Sequence, residues 1–558
     1  MPSRAQNLGE LGTNVLAGGG LPLTALSTLT VTDSSYTALS DLAVRPTGGY
    51  IKITGYNFVA GCTLYINGSP ATSTTFVSAT EVRAQLPALA VGTYSLMLFN
   101  AASVGAIWAS GIIYSAAPVW TNTSYNNPTN VVNTQLLATG DGTLIYTLAS
   151  GTLPTGVTLS STGLLSGTVS GVTSTTTFSF TVAVTDAQNQ ASPQVISLSL
   201  TFYIGKLWSW GLNSYGNLGL GDTTARSSPV QVGTLTNWLS LNNGQTFSVA
   251  VKKDGTLWAW GKNNAGQLGD GTTVIKSSPV QIGALTNWAE VSAGDAHVAA
   301  IKTDGTMWTW GQGYWWALGL SNRSDYSSPM QVGTLTNWKT VTSGRHTVIA
   351  IKTDGTLWTW GSGGNGPTGV GQLGDGTTVA KSSPIQIGTL TNWSKVASKG
   401  LFVTAIKTDG TLWAWGQNSY GYLGDNTTTD RLSPVQIGAL TNWLMTSSSY
   451  RFTLAAKTNG TIWTWGMNNS GNLGLGDTTA RSSPVQVGTL TNWTPIKLSN
   501  TTSTANLIKA DGTLWGWGQA DRNGLGLGLD TSSPVQVGTL TSWLDIAAGW
   551  YHTTAISG

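Results

Sequence analysis

The chain has 558 residues, a formal net charge of +3 and a single cysteine, and only 9% of its residues are charged, against about 25% in an ordinary soluble domain. That length predicts several domains. The near-neutral charge excludes the basic footprint of a nucleic-acid binder, and a lone Cys62 excludes an internal disulfide or a cysteine-based metal site. No apolar run of about 18 residues is available for membrane insertion, and the first residues lack the apolar stretch of a secretory signal. Gly, Ser, Thr and Asn take the place of charge, a mixture that suits short strands joined by tight turns.

Residues 1–35 carry no strong periodicity, and Gly18-Gly19-Gly20 marks a flexible joint. This segment reads as a docking arm. Residues 36–116 hold alternating runs split by turns, at 50–55, 63–68, 81–87 and 92–100, which predict a small β-sandwich. Residues 117–203 predict a second sandwich, with turn glycines at Gly163 and Gly167 and an alternating strand over 178–186.

Residues 204–558 repeat. Trp-x-Trp-Gly begins at Trp208, Trp258, Trp308, Trp358, Trp413, Trp463 and Trp515, at spacings of 50, 50, 50, 55, 50 and 52 residues. A period of that size signals a repeat architecture. Four strands per repeat (256–260, 279–282, 288–292 and 297–302 in the second) predict propeller blades, so the fold class is all-β: a seven-bladed β-propeller preceded by two immunoglobulin-like sandwiches. Asp-Gly or Asn-Gly at 254, 304, 354, 409, 459 and 511 predicts two-residue hairpins with both central residues at positive φ. The ends are complementary. The first Trp-x-Trp-Gly has no apolar strand before it, and the last such strand, 553–556, has no Trp-x-Trp-Gly after it. Pairing 553–556 with 207–210 closes a ring and removes exposed edges.

These residues resemble the regulator of chromosome condensation repeat family, whose members form seven-bladed propellers. The resemblance rests on Trp-Gly, Gly-x-Leu-Gly (216–219, 266–269, 371–374, 421–424, 471–474), Ser-Pro-Val and the Gly294 to His297 turn. It covers about 355 residues. Residues 53–94 resemble the immunoglobulin-like domain of plexins and transcription factors, and 153–167 resemble the immunoglobulin-like modules of bacterial surface proteins, which act as spacers. The founding propeller is a nucleotide-exchange factor on chromatin, an activity that neither the charge nor an identifiable loop supports here. The plant UV-B receptor of the family is matched only loosely, by Gly549-Trp550-Tyr551-His552-Thr553.

Of 26 tryptophans, 21 occupy three repeated positions and read as structural. His297, His346 and His552 fall at or next to one repeat position and read as core or turn residues. No nucleophile elbow or paired-carboxylate motif appears, so no enzyme, no catalytic residue, no metal site and no cofactor is expected. Candidate ligand-binding residues are those that break the repeat. After Trp-x-Trp-Gly the third copy writes Tyr314-Trp315-Trp316, the fifth has Tyr420 and Tyr422, the first has Tyr215, and the fourth gains five residues within 362–370. Before the Lys-ending strand stand Arg345, Tyr450 with Arg451, and Trp550 with Tyr551. Aromatic rings on loops stack on sugars or anchor protein contacts.

The expected function is that of a phage virion surface or tail-fibre protein, assembled in the host cytoplasm. Its arm would bind other virion structural proteins, and its propeller would bind a host-surface glycan or protein during adsorption. Two alternatives stand beside it: a structural or decorating virion protein that recognises no receptor, and a bacterial surface or secreted protein-binding propeller. Homo-oligomerisation is left open, since no heptad enforces it.

Overall fold

The computed structural model describes residues 25–38, 43–56, 58–99, 105–114, 117–121, 131–140, 143–169, 176–186, 193–363, 370–493, 495–520 and 525–558. Among these residues the regular elements are all β-strands. They fall into two compact units, Met1–Phe202 and Tyr203–Gly558.

In the first unit, two four-stranded sheets share one core. The first runs Ala25–Thr32, Gly49–Tyr56, Glu81–Leu86, Ser73–Ser78 in spatial order, and the second Ser69–Pro70, Thr63–Ile66, Gly92–Phe99, Gly105–Tyr114. Alternation decides the faces: Ile51, Ile53, Leu64, Ile66, Val82, Leu96 and Leu98 point inward, with Cys62 buried beside them. Ala25–Thr32 lies in the segment read as a docking arm. It is an edge strand instead, paired with Gly49–Tyr56, because Leu29 and Val31 alternate into the same core. The rest of the arm, residues 1–24, lies outside the described residues. A second sandwich pairs Val131–Gln135, Leu164–Thr168 and Val157–Leu159 in one sheet, and Ile145–Gly151, Thr176–Thr185 and Gln194–Phe202 in another. Its core includes Tyr146, Leu165, Phe180, Val182, Val184, Leu200 and Phe202.

The second unit is a ring of seven four-stranded antiparallel sheets. One blade is Trp238–Asn243, Phe247–Lys252, Leu257–Gly261 and Lys276–Gln281 in chain order and spatial order alike. The first strand of each blade touches that of the next all the way round, so these strands line the axis. The repeat as written in sequence is therefore offset from the blade by two strands. Trp-x-Trp-Gly forms the third strand of one blade, and Thr-Asn-Trp opens the first strand of the next. A tight hairpin joins second to third strand, whereas the longer Gly-x-Leu-Thr linker crosses between sheets. At the closure, Leu207 pairs with Ile556, Trp208 with Ala555, Ser209 with Thr554 and Trp210 with Thr553.

The Asp-Gly hairpin is longer than the two-residue turn expected from sequence. Gly255 N–H donates to Lys252 O (2.9 Å) and Lys252 N–H to Thr256 O (3.0 Å). Gly255 is at φ +77° while Asp254 keeps negative φ. This is a three-residue loop, a type I turn followed by a left-handed glycine. Asp254 Oδ1 accepts from Thr256 N–H (3.0 Å), and Thr256 Oγ1 in turn accepts from Trp258 Nε1 (2.9 Å). The turn thereby orients the first ring of Trp-x-Trp.

The second ring of each pair is fully buried and clasps the preceding blade. Trp260 Nε1 donates to Asn217 O (3.0 Å), Trp310 to Gln267 O (3.1 Å) and Trp465 to Tyr422 O (2.9 Å). The glycine of Leu-Gly is required at this clasp. At Gly269 (φ +80°) a Cβ would stand 2.7 Å from Trp310 Nε1, and at Gly526 (φ +78°) it would stand 2.9 Å from Trp210 Nε1 across the closure. Each ring removes roughly 150–250 Å² from water, about 4–6 kcal/mol of transfer free energy before conformational entropy is subtracted. The repeated lysine completes the stack. Lys302 Nζ lies 3.6 Å from the Trp308 centroid and 4.8 Å from that of Trp288, a cation–π contact.

Candidate functional site

Strand pairing brings two sets of loops to one face of the ring. Each second strand starts opposite the end of the third, as in Phe247 against Gly261. The loop after Trp-x-Trp-Gly therefore stands beside the loop before the Lys-ending strand. Gln312 N–H donates to Ala296 O across this seam (2.8 Å).

In most repeats the first of these loops has one construction. Asn263 Nδ2 donates to Asp270 Oδ1 (3.1 Å) and Thr272 O (3.0 Å), while its Oδ1 accepts from Leu268 N–H (3.0 Å); Asn418 does the same with Asp425, Thr427 and Leu423. A glycine at positive φ follows, at Gly216, Gly266, Gly371, Gly421 and Gly471. A Cβ there would fall 2.4–2.7 Å from atoms of the next blade. An aspartate of the loop pairs with the cation that opens the outer strand: Arg226–Asp222 (2.6 Å), Lys276–Asp270 (3.4 Å), Lys381–Asp375 (2.9 Å), Arg431–Asp425 (2.7 Å) and Arg481–Asp477 (2.6 Å).

The third repeat abandons each of these features. Gly313 replaces the asparagine, and its N–H is taken by Asp325 Oδ1 (2.9 Å). Trp316 stands in the glycine column at φ +65°, and Ser321 adopts φ +62° where a glycine stands in most other copies. A bulky residue in the left-handed region is a genuine outlier and stores about 1–3 kcal/mol of strain. The ion pair is replaced by a neutral contact, Asn322 Nδ2 donating to Tyr326 Oη (3.1 Å). The arginine moves to Arg323, whose guanidinium lies 4.7 Å from the Trp316 centroid and 5.9 Å from that of Tyr314. Trp315 stacks on His346 of the next blade at 5.0 Å and 26°, and Tyr314 meets Trp315 edge-on at 4.9 Å. Tyr314, Trp315, Trp316 and Arg323, with Ser362, Gly363, Thr378 and Ala380, line a cleft of about 210 Å³. Tyr314 is 55% exposed.

The structure brings Tyr314, Trp315 and Trp316 together and separates them from other candidates. Tyr215 is exposed, with Lys262 over its ring at 5.0 Å. Tyr420 is exposed, and Arg451 is exposed on the inner loop of a neighbouring blade. Tyr422 is a correction: it is buried, stacked on Phe402 at 5.4 Å and 17°, and its carbonyl receives the Trp465 clasp. Burial pushes its phenol up to about 12. Its repeat position is an interior one: the counterparts Asn217, Gln267, Ala317, Gln372 and Asn472 are buried too.

Arg345, Tyr450 and Trp550 also need correction, since they are spent on one another across the axis. Tyr450 Oη donates to Asp295, Arg345 Nε donates to Asp295 Oδ2 (3.2 Å), and Trp550 packs edge-on against Tyr450 at 5.3 Å, with half-buried Tyr551 beside it. Lys399 Nζ donates to the carbonyls of Asn243 and Ala293. Inner loops from different blades thus meet over the axis. Burial raises the Asp295 carboxyl to about 6 against the pull of Tyr450 and Arg345, and lowers the Lys399 ammonium to about 8. Burial likewise lowers His297 to about 4 and both His346 and His552 to about 3.

Sequence reasoning overlooked Arg323, His346 as a ring partner, and Asp295 with Lys399. The signal for Arg323 was present: the third repeat writes Tyr326 where the first, second, fourth, fifth and sixth write Arg or Lys, and its arginine stands three residues earlier. Among the described residues no group of three or more His, Cys, Asp or Glu side chains is placed to hold a metal.

The class defined by this architecture is a modular all-β protein ending in a closed seven-bladed propeller. The family described as RCC1-like domain matches residues 283–555, and the regulator of chromosome condensation (RCC1) repeat matches residues 205–251 and 254–301. The IPT/TIG domain matches residues 43–114, and the family described as "Putative Ig domain" matches residues 110–202. The chain therefore carries an RCC1-repeat propeller preceded by TIG and Ig-like domains. Among solved structures, human WBSCR16 is similar at 20% identity and TM-score 0.56, over 63% of this chain and 98% of that one. Yeast RCC1 (Prp20), crystallised bound to Kap60, is similar at 18% identity and TM-score 0.57, over 63% and 89%. Prp20p from Saccharomyces cerevisiae, described with its binding properties to Gsp1p and histones, gives 18% and 0.56 over 63% and 91%. These likenesses are of fold. No curated protein sequence matches the chain.

Proposed function

We propose that this protein is a surface component of a phage particle, a tail or capsid fibre. In this reading its propeller attaches non-covalently to a host-surface receptor, and its Ig-like domains act as spacers. The observation that carries the binding reading is the third repeat. Packing explains what seven copies share. It does not explain why one copy accepts a left-handed tryptophan, gives up an ion pair and presents three aromatic rings with an arginine. Strain kept at a concave aromatic surface is the mark of a selected binding site. The virion setting is supported by the low charge and by sandwich modules in series with a propeller, and many copies per particle would add avidity to weak single contacts.

The test is adsorption. Particles whose copies lack residues 204–558 should assemble but adsorb to their propagating host at least tenfold more slowly, the scale expected from losing multivalent contacts. Unchanged adsorption with lower particle stability would instead support a decorating role.

A further inference from the structure

The cleft of the third repeat has a charge as well as a shape. In five other repeats the loop cation is neutralised by a loop aspartate at 2.6–3.4 Å. In the third, Asn322 and Tyr326 take over that structural contact without charge. Arg323 is exposed and has no carboxylate within ion-pair distance among the described residues. Asp325, two residues away, directs an oxygen at Gly313 N–H. His346 does not compete as a cation, because burial, with His297 and Arg345 nearby, holds its imidazole neutral down to about pH 3. Among the described residues, Arg323 is thus the one cation lining the cleft. It lies over the Trp316 ring, and its N–H groups make no hydrogen bond among the described residues, so they can donate to a ligand.

Resting on the attachment reading above, we propose that this cleft recognises an acidic saccharide: a sugar ring is held against Tyr314 and Trp316, and its carboxylate is met by the fork of Arg323. Aromatic faces suit the apolar face of a pyranose, and a planar guanidinium matches a carboxylate with two parallel N–H···O bonds. A phosphate group on a glycan would meet the same fork, so the two anions must be separated by experiment.

The full chain is titrated with an oligouronate, with the same oligosaccharide after reduction of its carboxyls to alcohols, and with a phosphorylated oligosaccharide of equal length. We expect the oligouronate to bind roughly tenfold or more tightly than its reduced form, as a charge-assisted bidentate contact implies. Arg323→Gln should abolish that preference, Arg323→Lys should restore it only in part, and added salt should weaken it. Equal binding of the acid and reduced forms, preference for the phosphorylated sugar, no binding of any acidic glycan, or an Arg323→Gln variant that keeps the preference would each overturn the proposal. Host-cell binding by Trp316→Gly and Arg323→Gln, run in parallel, separates the two levels. Loss with Trp316→Gly but not with Arg323→Gln overturns the acidic saccharide and leaves attachment standing. Indifference to both substitutions sinks attachment through this cleft and the proposal with it.

Discussion

Single side chains here are best read by comparing a residue with its six counterparts. Trp316 occupies a column that Gly216, Gly266, Gly371, Gly421 and Gly471 fill at φ between +69° and +77°. A tryptophan at φ +65° is disfavoured there, so reversion should relieve strain. Trp316→Gly is expected to leave the melting temperature unchanged or raise it, by about 1 kcal/mol of stability at most after the loss of a half-buried ring, while receptor binding falls. Thermal unfolding beside a binding assay checks this. A large drop in stability would mean that the ring is core and the strain incidental. Tyr422 shows the limit of reading residues as departures from a pattern. It too breaks the repeat, yet its side chain merely fills space beside Phe402. An aromatic at a variable position is ambiguous until the direction of its Cα–Cβ bond is known. Arg345 and Tyr450 misled for a related reason, because their partner Asp295 lies on a different blade, 50 and 155 residues away.

At the scale of strands, regularity made much of the propeller legible. Trp-x-Trp-Gly recurs because one ring must clasp the preceding blade and the other must hold the lysine, so period and strand order follow from the same three residues. The complementary ends made the closure readable, and the pairing of Leu207 with Ile556 bears it out. Two features were not legible. The hairpin length depends on Asp254 keeping negative φ, which Asp-Gly alone does not specify. The offset between repeat and blade depends on which of two loops crosses between sheets, and both are rich in turn residues. The closing strand also allows a direct test. Removing residues 552–558 would expose the edge of Lys206–Gly211, orphan six paired positions and uncover Trp210 and Trp543. We expect loss of cooperative unfolding of the propeller, followed by circular dichroism and calorimetry. A truncated chain that unfolds as sharply as the intact one would show that the ring does not depend on this seam.

For the molecule as a whole, acid is the informative stress. His297, His346 and His552 have pKa values lowered to about 4, 3 and 3, against about 6.5 when unfolded. Below pH 6.5 the unfolded chain therefore takes up protons that the folded one refuses, and stability falls as pH drops towards 4. Asp295, raised to about 6, and Glu290, also raised by burial, act in the opposite direction. Three histidines outweigh two acids, and each group accounts for at most about 1.4 kcal/mol per pH unit. The melting temperature should decline from pH 6.5 to pH 4, and His297→Gln with His552→Gln should remove much of that slope. A flat profile for the parent would show that these imidazoles are hydrated.

The two-strand offset described above has a further consequence for how such a chain can change. Because every 50-residue unit lends half of its strands to each of two blades, a crossover between copies at any matching point regenerates the clasp, the lysine stack and the seam. The loops on the rim can then be shuffled as cassettes while the hub is untouched. Residues 213–238 and 468–493 are already nearly the same text, and the odd third copy shows how far one cassette can diverge while its six neighbours hold the ring shut.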